Sequence, residues 1–433
     1  MYRELMNRKL YHSIIDGLEP EKSVSYDTYV DLLIKLEQGS HIWPVPRRIE
    51  ICKTFSQKRR IVYAYPNEEM FILRAVNHYL CSSYQKALAY SYFPSRKRTP
   101  SQCLSYILQR KEDYLKANPQ VDDLYGMHMD ISDYFNSMDP NLLFERLPED
   151  LKTDQDFVSL FTATLLNPWC ESGGERIQID KKGAMAGLPF TAFFAAIYLN
   201  GMDKCFEKAG IPYARYSDDI LFFAETEETV REWAAFVKSY LLESRLNMND
   251  DKTQNILPNK PWTFIGFEMD QRQIDISIHQ YEKLKRRISK WARRYRKRVE
   301  EGYGKDKRRM TPEKAVMSLI KNINRALFKP IRDKYCWAQW AFPTINVIQR
   351  IKALDVLIQE RLRFVFTGGY SKKNYKKLPY ERLKEMGYHS LEKLYVLYRY
   401  RPESFQVFLD YFILQPNVKG SLLCEKQTPE QCQ

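Results

Sequence analysis

The hydrophobic pattern of the first half of the chain alternates between short strand-like runs and longer helical stretches. Apolar runs predict strands at 61–65, 124–131 and 262–269, and apolar spacings of three and four predict helices at 70–80, 142–147, 190–199 and 228–246. Residues 1–45 are also expected to be helical and amphipathic. This order of strands and helices is typical of a split βαβ antiparallel sheet with helices on one face. The fold class that we predict is therefore α+β.

Two adjacent aspartates interrupt a long apolar run in the middle of the chain. The residues before Asp218 and after Asp219 are strand-like, which predicts a β-hairpin whose tight turn displays both carboxylates. Carboxylates held side by side repel one another, and a divalent cation would relieve that repulsion. Hard cations such as Mg²⁺ prefer oxygen ligands of this kind. An acidic hairpin turn without a metal remains the alternative for this motif alone.

One long helix is predicted in the second half of the chain. Its apolar stripe consists of Tyr281, Leu284, Ile288, Trp291, Tyr295 and Val299. Between Lys283 and Arg298 the chain carries ten Lys or Arg residues and no acid. Such a helix fits the backbone of a nucleic acid duplex, and a solvated basic face is the alternative. A second helix is expected at 312–328, the following residues are mainly helical with frequent Tyr and Lys, and 415–433 is a polar tail.

Composition and charge narrow the class of protein. The 433 residues are enough for two or three domains, and 44% hydrophobic residues exclude a disordered chain. The net charge of +14 indicates a polyanionic partner, with nucleic acid first and an anionic membrane surface second. The eight cysteines include no CxxC pair, so neither a zinc site nor a disulfide framework is indicated. No signal-peptide core or bilayer-length apolar run is seen, so we expect a soluble cytoplasmic protein.

Three acids are expected to converge on neighbouring strands. Asp130 follows one apolar strand, and Asp218 and Asp219 occupy the hairpin turn 88 residues further along. Nucleotidyl transfer uses two metal ions, roughly 3.5–4 Å apart, held by such carboxylates. A strand-end carboxylate without function is the alternative for Asp130 taken alone. Together with the hairpin, the three acids predict a two-metal site.

The motifs around these acids resemble those of reverse transcriptases. The matching segments are Met129-Asp130-Ile131-Ser132-Asp133-Tyr134-Phe135-Asn136-Ser137 (first palm motif), Tyr216-Ser217-Asp218-Asp219 (YxDD box), Gly187-Leu188-Pro189 (nucleotide-pocket loop), Leu246-Asn247 with Lys252-Thr253, Phe264-Ile265-Gly266-Phe267 (primer-grip turn), and Lys53, Lys58 and Arg60 (fingers). They follow one another in the family's order over roughly residues 45–300. The resemblance implies a right-hand polymerase with fingers, a palm, a basic helical thumb and a helical C-terminal extension.

The resemblance also implies roles for individual residues. Asp130, Asp218 and Asp219 would be catalytic and would hold two Mg²⁺ ions (Mn²⁺ being possible) with help from the Ile131 carbonyl. Nucleotide binding would involve Lys58 and Arg60 at the triphosphate, Phe135 as a steric gate for deoxynucleotides, Ala186 and Gly187 in the pocket loop, and Lys252, a candidate general acid toward pyrophosphate or else a surface lysine. Template and primer would contact Tyr216, Gly266, Arg286, Arg287, Lys290, Arg293, Arg294 and Lys297.

Departures from the family's pattern narrow the resemblance. Ala186 stands where a glutamine usually precedes the glycine, and Thr191-Ala192 replaces the usual Ser-Pro, so fidelity or template choice could differ. The compact length and the segment Gly387-Tyr388-His389-Ser390-Leu391 are most similar to bacterial defence-associated reverse transcriptases of type 2. This similarity implies a dedicated structured noncoding RNA as template and partner, and cDNA made in response to phage.

The predicted division of the chain has five parts. They are an N-terminal helical segment (1–45), fingers (46–119), the palm (120–272), the thumb (273–345) and a C-terminal extension with its tail (346–433). Our main hypothesis is an RNA-directed DNA polymerase that uses dNTPs and Mg²⁺. Two alternatives stay open: template-independent, protein-primed DNA synthesis on the same fold, and a catalytically inactive RNA-binding scaffold. A membrane-surface protein would also use a basic helix, but no lipid anchor signal is present.

Overall fold

The structure, a computed structural model, describes residues 1–16, 18, 20–52, 59–92, 99–179, 183–302, 308–329 and 336–414. The chain forms two compact units, Met1–Lys260 and Pro261–Gln433. Both mix helices with antiparallel strands, so the predicted α+β class is confirmed. Among the described residues, no helix combines the length and the apolarity that crossing a bilayer requires.

The first unit contains helices α1–α12 and strands β1–β8. The helices are α1 Tyr2–Leu5, α2 Arg8–Ile15, α3 Tyr26–Glu37, α4 Asn67–Ser83, α5 Pro100–Ala117, α6 Tyr134–Ser137, α7 Pro140–Glu145, α8 Glu149–Thr153, α9 Gln155–Phe161, α10 Thr191–Tyr198, α11 Asn200–Ala209 and α12 Glu227–Glu243. The strands are β1 Arg47–Cys52, β2 Arg59–Ala64, β3 Tyr125–Asp130, β4 Trp169–Ser172, β5 Glu175–Gln178, β6 Tyr213–Tyr216, β7 Asp219–Ala224 and β8 Gln254–Ile256.

A four-stranded antiparallel sheet in the order β6-β7-β3-β8 lies at the centre of this unit. The register of β3 on β7 runs from Tyr125 opposite Ala224 to Asp130 opposite Asp219. Burial explains why these segments are strands, since Ile220, Leu221, Phe222 and Phe223 are fully buried and have helices to pack against. The hydrophobic core that covers the sheet extends through the unit from Tyr2 to Leu246.

A second sheet has the order β2-β1-β4-β5. Strands β1 and β2 lie in the segment predicted as fingers, whereas β4 and β5 lie in the segment predicted as palm. Strands β1 and β2 form an antiparallel ladder, and a single parallel pair, Arg47 with Glu171, joins β1 to β4. The sequence predicted β2 but neither β1 nor the β4–β5 hairpin. The helix predicted at 142–147 is present as α7, which begins and ends two residues earlier. The Asp139 side chain caps it by accepting hydrogen bonds from the backbone N–H groups of Asn141 and Leu142.

The second unit is mainly helical. Its strands are β9 Trp262–Phe264, β10 Phe267–Asp270 and β11 Gln273–Ile276, and its helices are α13 Ile278–Glu300, α14 Pro312–Phe328, α15 Trp337–Ala341, α16 Gln349–Thr367, α17 Asn374–Lys377, α18 Tyr380–Glu385, α19 Leu391–Tyr400 and α20 Pro402–Leu414. The long basic helix is α13, and Leu284, Ile288, Ala292 and Tyr295 form its buried face. The helix predicted at 312–328 is confirmed as α14.

One predicted strand in this unit is wrong. Residues 262–269 do not form a single strand, because Ile265 and Gly266 make a two-residue turn between β9 and β10. Both residues have positive φ, 44° and 91°, as a type I′ hairpin turn requires. The apolar sequence gives no sign of this turn, because isoleucine rarely adopts a positive φ. The five-part division of the chain remains a prediction.

Candidate active site

The carboxylates of the site meet because two antiparallel strands end at the same edge of the central sheet. Asp130 is the last residue of β3, and it lies directly opposite Asp219, the first residue of β7. Directly opposed residues in an antiparallel pair have Cα atoms about 4.5–5.5 Å apart. Asp218 occupies the turn itself, and its carbonyl accepts a hydrogen bond of 3.1 Å from the Ile131 N–H. The predicted convergence of these residues is present in the structure.

Asp130 is buried and is held by two side chains from the segment that precedes β8. The Lys252 ammonium lies 2.7 and 2.8 Å from the two carboxylate oxygens of Asp130. Asn249 donates from its side chain to Asp130 Oδ2 (3.0 Å), and its backbone N–H donates to the Asp130 carbonyl (2.8 Å). Burial opposes the charge of Lys252, but the hydrogen bond to Asp130 and the three carboxylates raise the pKa of its ammonium group.

Asp219 has an imidazole partner on the neighbouring strand. His128 Nε2 lies 3.0 Å from Asp219 Oδ1, and the His128 side chain is largely buried. Alternate residues of a strand share a face, so His128 and Asp130 project from the same side of β3. Asp219 is therefore anchored from β3 as well as by its own strand.

A buried ion pair supports the hairpin turn from behind. Ser217 has a φ of 64°, an uncommon conformation for a residue other than glycine, and its carbonyl accepts a hydrogen bond of 3.0 Å from Arg215 Nη1. Arg215 is fully buried and makes two hydrogen bonds with the Asp203 carboxylate on α11 (2.8 and 2.5 Å). The Tyr213 hydroxyl donates to the same carboxylate (2.5 Å). This bidentate arrangement fixes the turn that carries Asp218.

The three carboxylates have the chemistry of a divalent-cation site. Burial, and then the neighbouring charge of Asp219, raises the pKa of Asp218 to about 6. A cation bound between these oxygens would remove that repulsion, so the donor set fits a hard metal ion. Among the described residues, no three His, Cys, Asp or Glu side chains are already grouped as a metal site. Lys252 contacts both oxygens of Asp130, so a cation bound there would compete with its ammonium group for these oxygens.

Strand β2, helix α6 and the 183–190 loop contact one another and form a surface that we call the wall. The Arg60 guanidinium is 5.8 Å from the centre of the Phe135 ring, so two predicted nucleotide-binding residues are brought together. Ala186 is buried; its N–H donates to the Asn136 side chain (3.2 Å), and its carbonyl accepts from Tyr63 N–H (2.8 Å). The wall thus joins β2, α6 and the 183–190 loop.

Gly187 is an exposed residue of the 183–190 loop. Its φ of 105° is poorly tolerated by other residues, and a Cβ there would meet the Tyr63 carbonyl at 3.0 Å. The loop can therefore approach β2 closely only with glycine at this position. Lys58, also predicted to bind the triphosphate, lies outside the described residues.

The predicted template and primer residues fall in both units. Tyr216 pairs with Asp219 in the catalytic sheet, and Gly266 lies in the β9–β10 turn, where a Cβ would meet the Trp340 ring at 2.9 Å. On α13 the exposed basic side chains are Arg286, Lys290, Arg293, Arg294 and Lys297. Arg287 is half-buried over the Trp291 ring at 4.6 Å, and burial together with the nearby Arg325 lowers its pKa.

The positive charge of the protein lies in the second unit. Residues 261–433 contain 36 Lys and Arg against 18 Asp and Glu, whereas residues 1–260 contain 32 against 36. The net charges of these two segments are therefore +18 and −4. Among the described residues, no carboxylate pairs with Lys290, Arg293 or Arg294. This distribution separates an acidic first unit, which contains the three aspartates, from a basic second unit.

We compared the sequence with models of known protein families. Residues 69–269 match the family model described as reverse transcriptase (RNA-dependent DNA polymerase). Those residues are a reverse transcriptase domain. Asp130, Asp218, Asp219, Lys252 and the pocket loop all lie within it.

Solved telomerase structures are similar to the chain. The apo telomerase from Candida tropicalis is 12% identical with a TM-score of 0.49, and the match covers 86% of this chain and 63% of that one. A version truncated from its C-terminal domain gives 15% identity and a TM-score of 0.44, with 54% and 55% covered. The Candida albicans telomerase in complex with the TWJ fragment of telomeric RNA gives 11% identity and a TM-score of 0.44, with 87% and 65% covered. The chain thus spans less than two thirds of the length of these telomerase chains. No curated protein matches the chain.

Several residues of the reverse transcriptase domain that contact the site were missed by the sequence reasoning. They are His128, Asn249, Arg215 and Asp203. For His128 the signal was available, because it stands two residues before Asp130 and so shares its face of the strand. Asn249 and Asp203 gave no such signal, since their contacts depend on the packing of distant segments.

Proposed function

We propose that the protein is a divalent-metal-dependent DNA polymerase that copies an RNA template with dNTPs. The observation that carries the proposal is the pairing of Asp130 with Asp219 across β3 and β7, with Asp218 on the supported turn between β6 and β7. Asp130, Asp218, Asp219 and the Ile131 carbonyl would hold two Mg²⁺ ions, with Mn²⁺ as a substitute. When bound, such ions stabilise the attacking 3′-oxygen and the leaving pyrophosphate oxygen.

The chain's own residues bind and orient the nucleotide in this proposal. Arg60, together with Lys58, binds the triphosphate as cationic side chains bind phosphate oxygens. Phe135 lies beside Arg60 and blocks the space that a ribose 2′-hydroxyl would occupy. Gly187 allows the pocket loop to close against β2. Lys252, once it leaves Asp130, is free to donate a proton to the leaving pyrophosphate.

The second unit would hold the template and primer. Its net charge of +18 and the exposed cations of α13 support binding to a phosphate backbone. In this proposal the fingers and most of the palm lie in the first unit, α13, α14 and α15 belong to the thumb, and α16 to α20 form the C-terminal extension. The strained turn at Ile265 and Gly266 would contact the primer.

The narrower proposal is a cytoplasmic reverse transcriptase of the bacterial defence-associated kind, similar to the type 2 group. Its template and partner would be a dedicated structured noncoding RNA, and its cDNA would be made in response to phage. The sequence motifs around Asp130 and the segment Gly387–Leu391 support this placement.

The test is sequencing of the RNA and DNA that co-purify with the tagged protein and with its Asp218→Ala/Asp219→Ala variant. We expect one dominant RNA in both samples and complementary DNA only with the wild type. Repetitive DNA matching no RNA, or DNA covalently attached to protein, would instead support untemplated, protein-primed synthesis. A mixed RNA pool without DNA in either sample would leave an RNA-binding scaffold and contradict the proposal.

A further inference from the structure

A basic and aromatic segment at the end of α16 has no part in the function proposed above. From Arg361 to Tyr380 the chain has twenty residues, of which six are Lys or Arg and none is Asp or Glu. The helix ends at Thr367, and Gly368 follows in the left-handed conformation with a φ of 89°. We call residues 361–377 the lysine–tyrosine segment.

An exposed aromatic stack lies at the centre of this segment. The Tyr370 ring stacks on the Phe364 ring, with a centroid distance of 4.8 Å and an angle of 7° between the planes. The Arg361 guanidinium lies 5.0 Å from the centre of the Tyr370 ring. Tyr370 is nevertheless 60% exposed, which is unusual for a tyrosine held by two neighbours. The stack orients a ring toward solvent without burying it.

The loop that presents Tyr370 is held in place by its own hydrogen bonds. The buried Asn374 side chain donates to the Gly369 carbonyl (2.7 Å), and the Thr367 hydroxyl donates to the same carbonyl (3.2 Å). A Cβ at Gly368 would lie 2.7 Å from the Arg296 guanidinium, so glycine lets α13 approach this loop. The position of Tyr370 is therefore fixed before any ligand binds, which reduces the entropy cost of binding.

Four lysines follow Tyr370 within seven residues of the chain. Lys372, Lys373, Lys376 and Lys377 are all exposed, and within the part of the chain that the structure describes none of them pairs with a carboxylate. Other lysines of this unit do have acidic partners, as Lys285 has in Glu282. Clustered cations without acids repel one another, and a polyanion that binds them removes that repulsion.

The segment continues the basic surface of α13. Arg361 Nε donates to the Ser289 hydroxyl (3.0 Å), and Arg296 donates to the Val365 carbonyl (3.3 Å). Arg293 lies four residues after Ser289 and three before Arg296, on the same helical face, and it is exposed. Arg361 and Arg296 therefore join the end of α16 to α13, and Arg296 also pairs with Glu300 on α13 (2.7 Å).

We propose that the lysine–tyrosine segment binds single-stranded nucleic acid, with an unpaired base stacked on Tyr370 and the flanking phosphates bound by the lysines. Exposed aromatic rings next to a cationic track are the physical basis of sequence-tolerant single-strand binding. A duplex cannot use the ring, because its bases are already stacked and paired. The inference does not depend on catalysis, since no residue of the segment lies in the reverse transcriptase domain.

The experiment is fluorescence anisotropy of labelled 12-mers, oligo(rU) and oligo(dT), titrated with the full-length protein in EDTA and without dNTPs. The variants are Tyr370→Ala, Tyr370→Trp and Lys372→Ala/Lys376→Ala. Their matched controls are Tyr400→Ala, a tyrosine 82% exposed on α19, and Lys352→Ala/Lys384→Ala. Thermal unfolding of each variant shows whether it is folded. Binding is measured at several salt concentrations, and a 12-base-pair duplex is titrated alongside.

We expect Tyr370→Ala to weaken single-strand binding about tenfold, which is the contribution of one stacked base, with the salt dependence unchanged. Tyr370→Trp should bind as the wild type or more tightly. Lys372→Ala/Lys376→Ala should reduce the slope of log K against log salt by about 1.4, that is about 0.7 for each lost phosphate contact. Tighter binding of oligo(rU) would identify the ligand as RNA, and equal binding of both oligomers would support single strands of either kind.

Two results would overturn the proposal. One is a folded Tyr370→Ala protein whose single-strand affinity equals that of Tyr400→Ala. The other is an equal loss of duplex affinity in Tyr370→Ala, which would exclude a role for unpaired bases. Tyr370-dependent binding to phosphatidylserine vesicles, with oligonucleotide binding unchanged, would likewise contradict it and assign the segment to a membrane surface.

Discussion

Lys252 neutralises Asp130 in the absence of a metal ion. Its ammonium contacts both carboxylate oxygens, and Asn249 binds one of them as well. We therefore expect a divalent cation at Asp130 to compete with Lys252 for the carboxylate oxygens. This exchange connects metal binding to the release of a proton donor, because the freed ammonium is then available to the leaving group.

The first prediction follows from this competition. In the absence of dNTP, Lys252→Ala should bind Mn²⁺ about 2- to 10-fold more tightly. This factor corresponds to the free energy of a half-exposed ion pair, which the variant no longer has to break. The same variant should incorporate dNTPs about 100-fold more slowly because the acid is lost. Mn²⁺ titration and single-turnover kinetics measure the two effects. Lys252→Arg is the control, since it keeps the charge but cannot donate a proton. Unchanged Mn²⁺ affinity in Lys252→Ala would contradict the exchange.

The second prediction concerns pH and Asp218. The carboxyl group has a pKa of about 6 in the folded protein against 3.8 in the unfolded chain, so folding is penalised once Asp218 ionises. The penalty is absent below pH 3.8, grows as the pH rises through 6, and is at most about 3 kcal/mol above that. Asp218→Asn should therefore stabilise the metal-free protein at pH 8 but not at pH 4. Denaturant unfolding in EDTA at both pH values measures the difference, and an equal effect at both would refute the assignment.

The third prediction tests Phe135. Truncation to alanine opens the space beside Arg60, so Phe135→Ala should raise ribonucleotide incorporation relative to deoxynucleotide by roughly tenfold or more. Competition assays with paired rNTP and dNTP give the ratio. Phe135→Tyr, which keeps the ring, is the control. Unaltered discrimination in the alanine variant would remove Phe135 from the role of gate.

The aspartates of the site were predictable from sequence, whereas their partners were not. Asp218 and Asp219 lie between two apolar runs, and Asp130 ends a third, so local pattern alone located them. Lys252 was identified through the resemblance, but its contact with Asp130 arises from the packing of β8 on β3. Spacing in sequence carries no information about such a contact.

At the scale of the element, the β6–β7 hairpin depends on a buried ion pair for the shape of its turn. Arg215 and Asp203 have no exposed surface, and a buried ion pair is a poor source of stability compared with well-packed apolar residues. What the pair supplies here is a donor for the Ser217 carbonyl. The hairpin is thus positioned from α11.

The fourth prediction separates the two roles of this pair. Asp203→Asn alone leaves a buried arginine cation unpaired and should lower the free energy of unfolding by about 3–5 kcal/mol. Replacing the network with apolar residues, Arg215→Met, Asp203→Leu and Tyr213→Phe together, should return stability to within about 2 kcal/mol of the wild type. That triple variant should still bind Mn²⁺ about tenfold more weakly, because the turn has lost its support.

Denaturant unfolding and Mn²⁺ titration of the two proteins provide the comparison. Arg215→Lys/Asp203→Glu, which retains opposite charges, is the matched control. A stable triple variant with wild-type Mn²⁺ affinity and a wild-type rate of dNTP incorporation would show that Arg215 and Asp203 contribute only packing.

Helices and strands were predictable where their buried apolar residues are continuous or recur at a regular spacing. The catalytic strands β3 and β7 and the helices α12, α13 and α14 have apolar runs or stripes, and all were found within a few residues of their ends. Strand β1 was missed because its residues Arg47–Ile51 are largely charged and none of them is buried, so the strand has no apolar run. The hydrophobic pattern did not show the break at Ile265, because no polar residue marks it, and only the resemblance to a primer-grip turn indicated it.

At the scale of the whole molecule, acidic and basic charge are segregated along the chain. The first unit carries −4 and includes the metal-binding carboxylates, and the second carries +18. A polymerase needs both environments: carboxylates concentrate divalent cations, and a basic surface retains a polyanionic substrate between nucleotide additions. The overall charge of +14 therefore arises from the second unit, since the first unit has a small negative charge.

The last prediction tests this segregation on α13. Arg286, Lys290, Arg293 and Lys297 follow one another at spacings of four, three and four, so their exposed side chains lie on one face over about 16 Å. Changing all four to alanine should weaken binding of a primer–template duplex uniformly across sequences. The slope of log K against log salt should fall by up to about 3.6 if each residue contacts one phosphate.

The matched control removes four exposed lysines from the acidic unit, Lys9, Lys35, Lys204 and Lys208, so that the net charge changes equally. Anisotropy of a labelled duplex at several salt concentrations compares the two proteins. Equal losses of affinity and slope in both would mean that only total charge matters and that α13 is an ordinary solvated face. A loss confined to the α13 variant would identify this helix as the surface that holds the duplex while the carboxylates of the other unit act on its end.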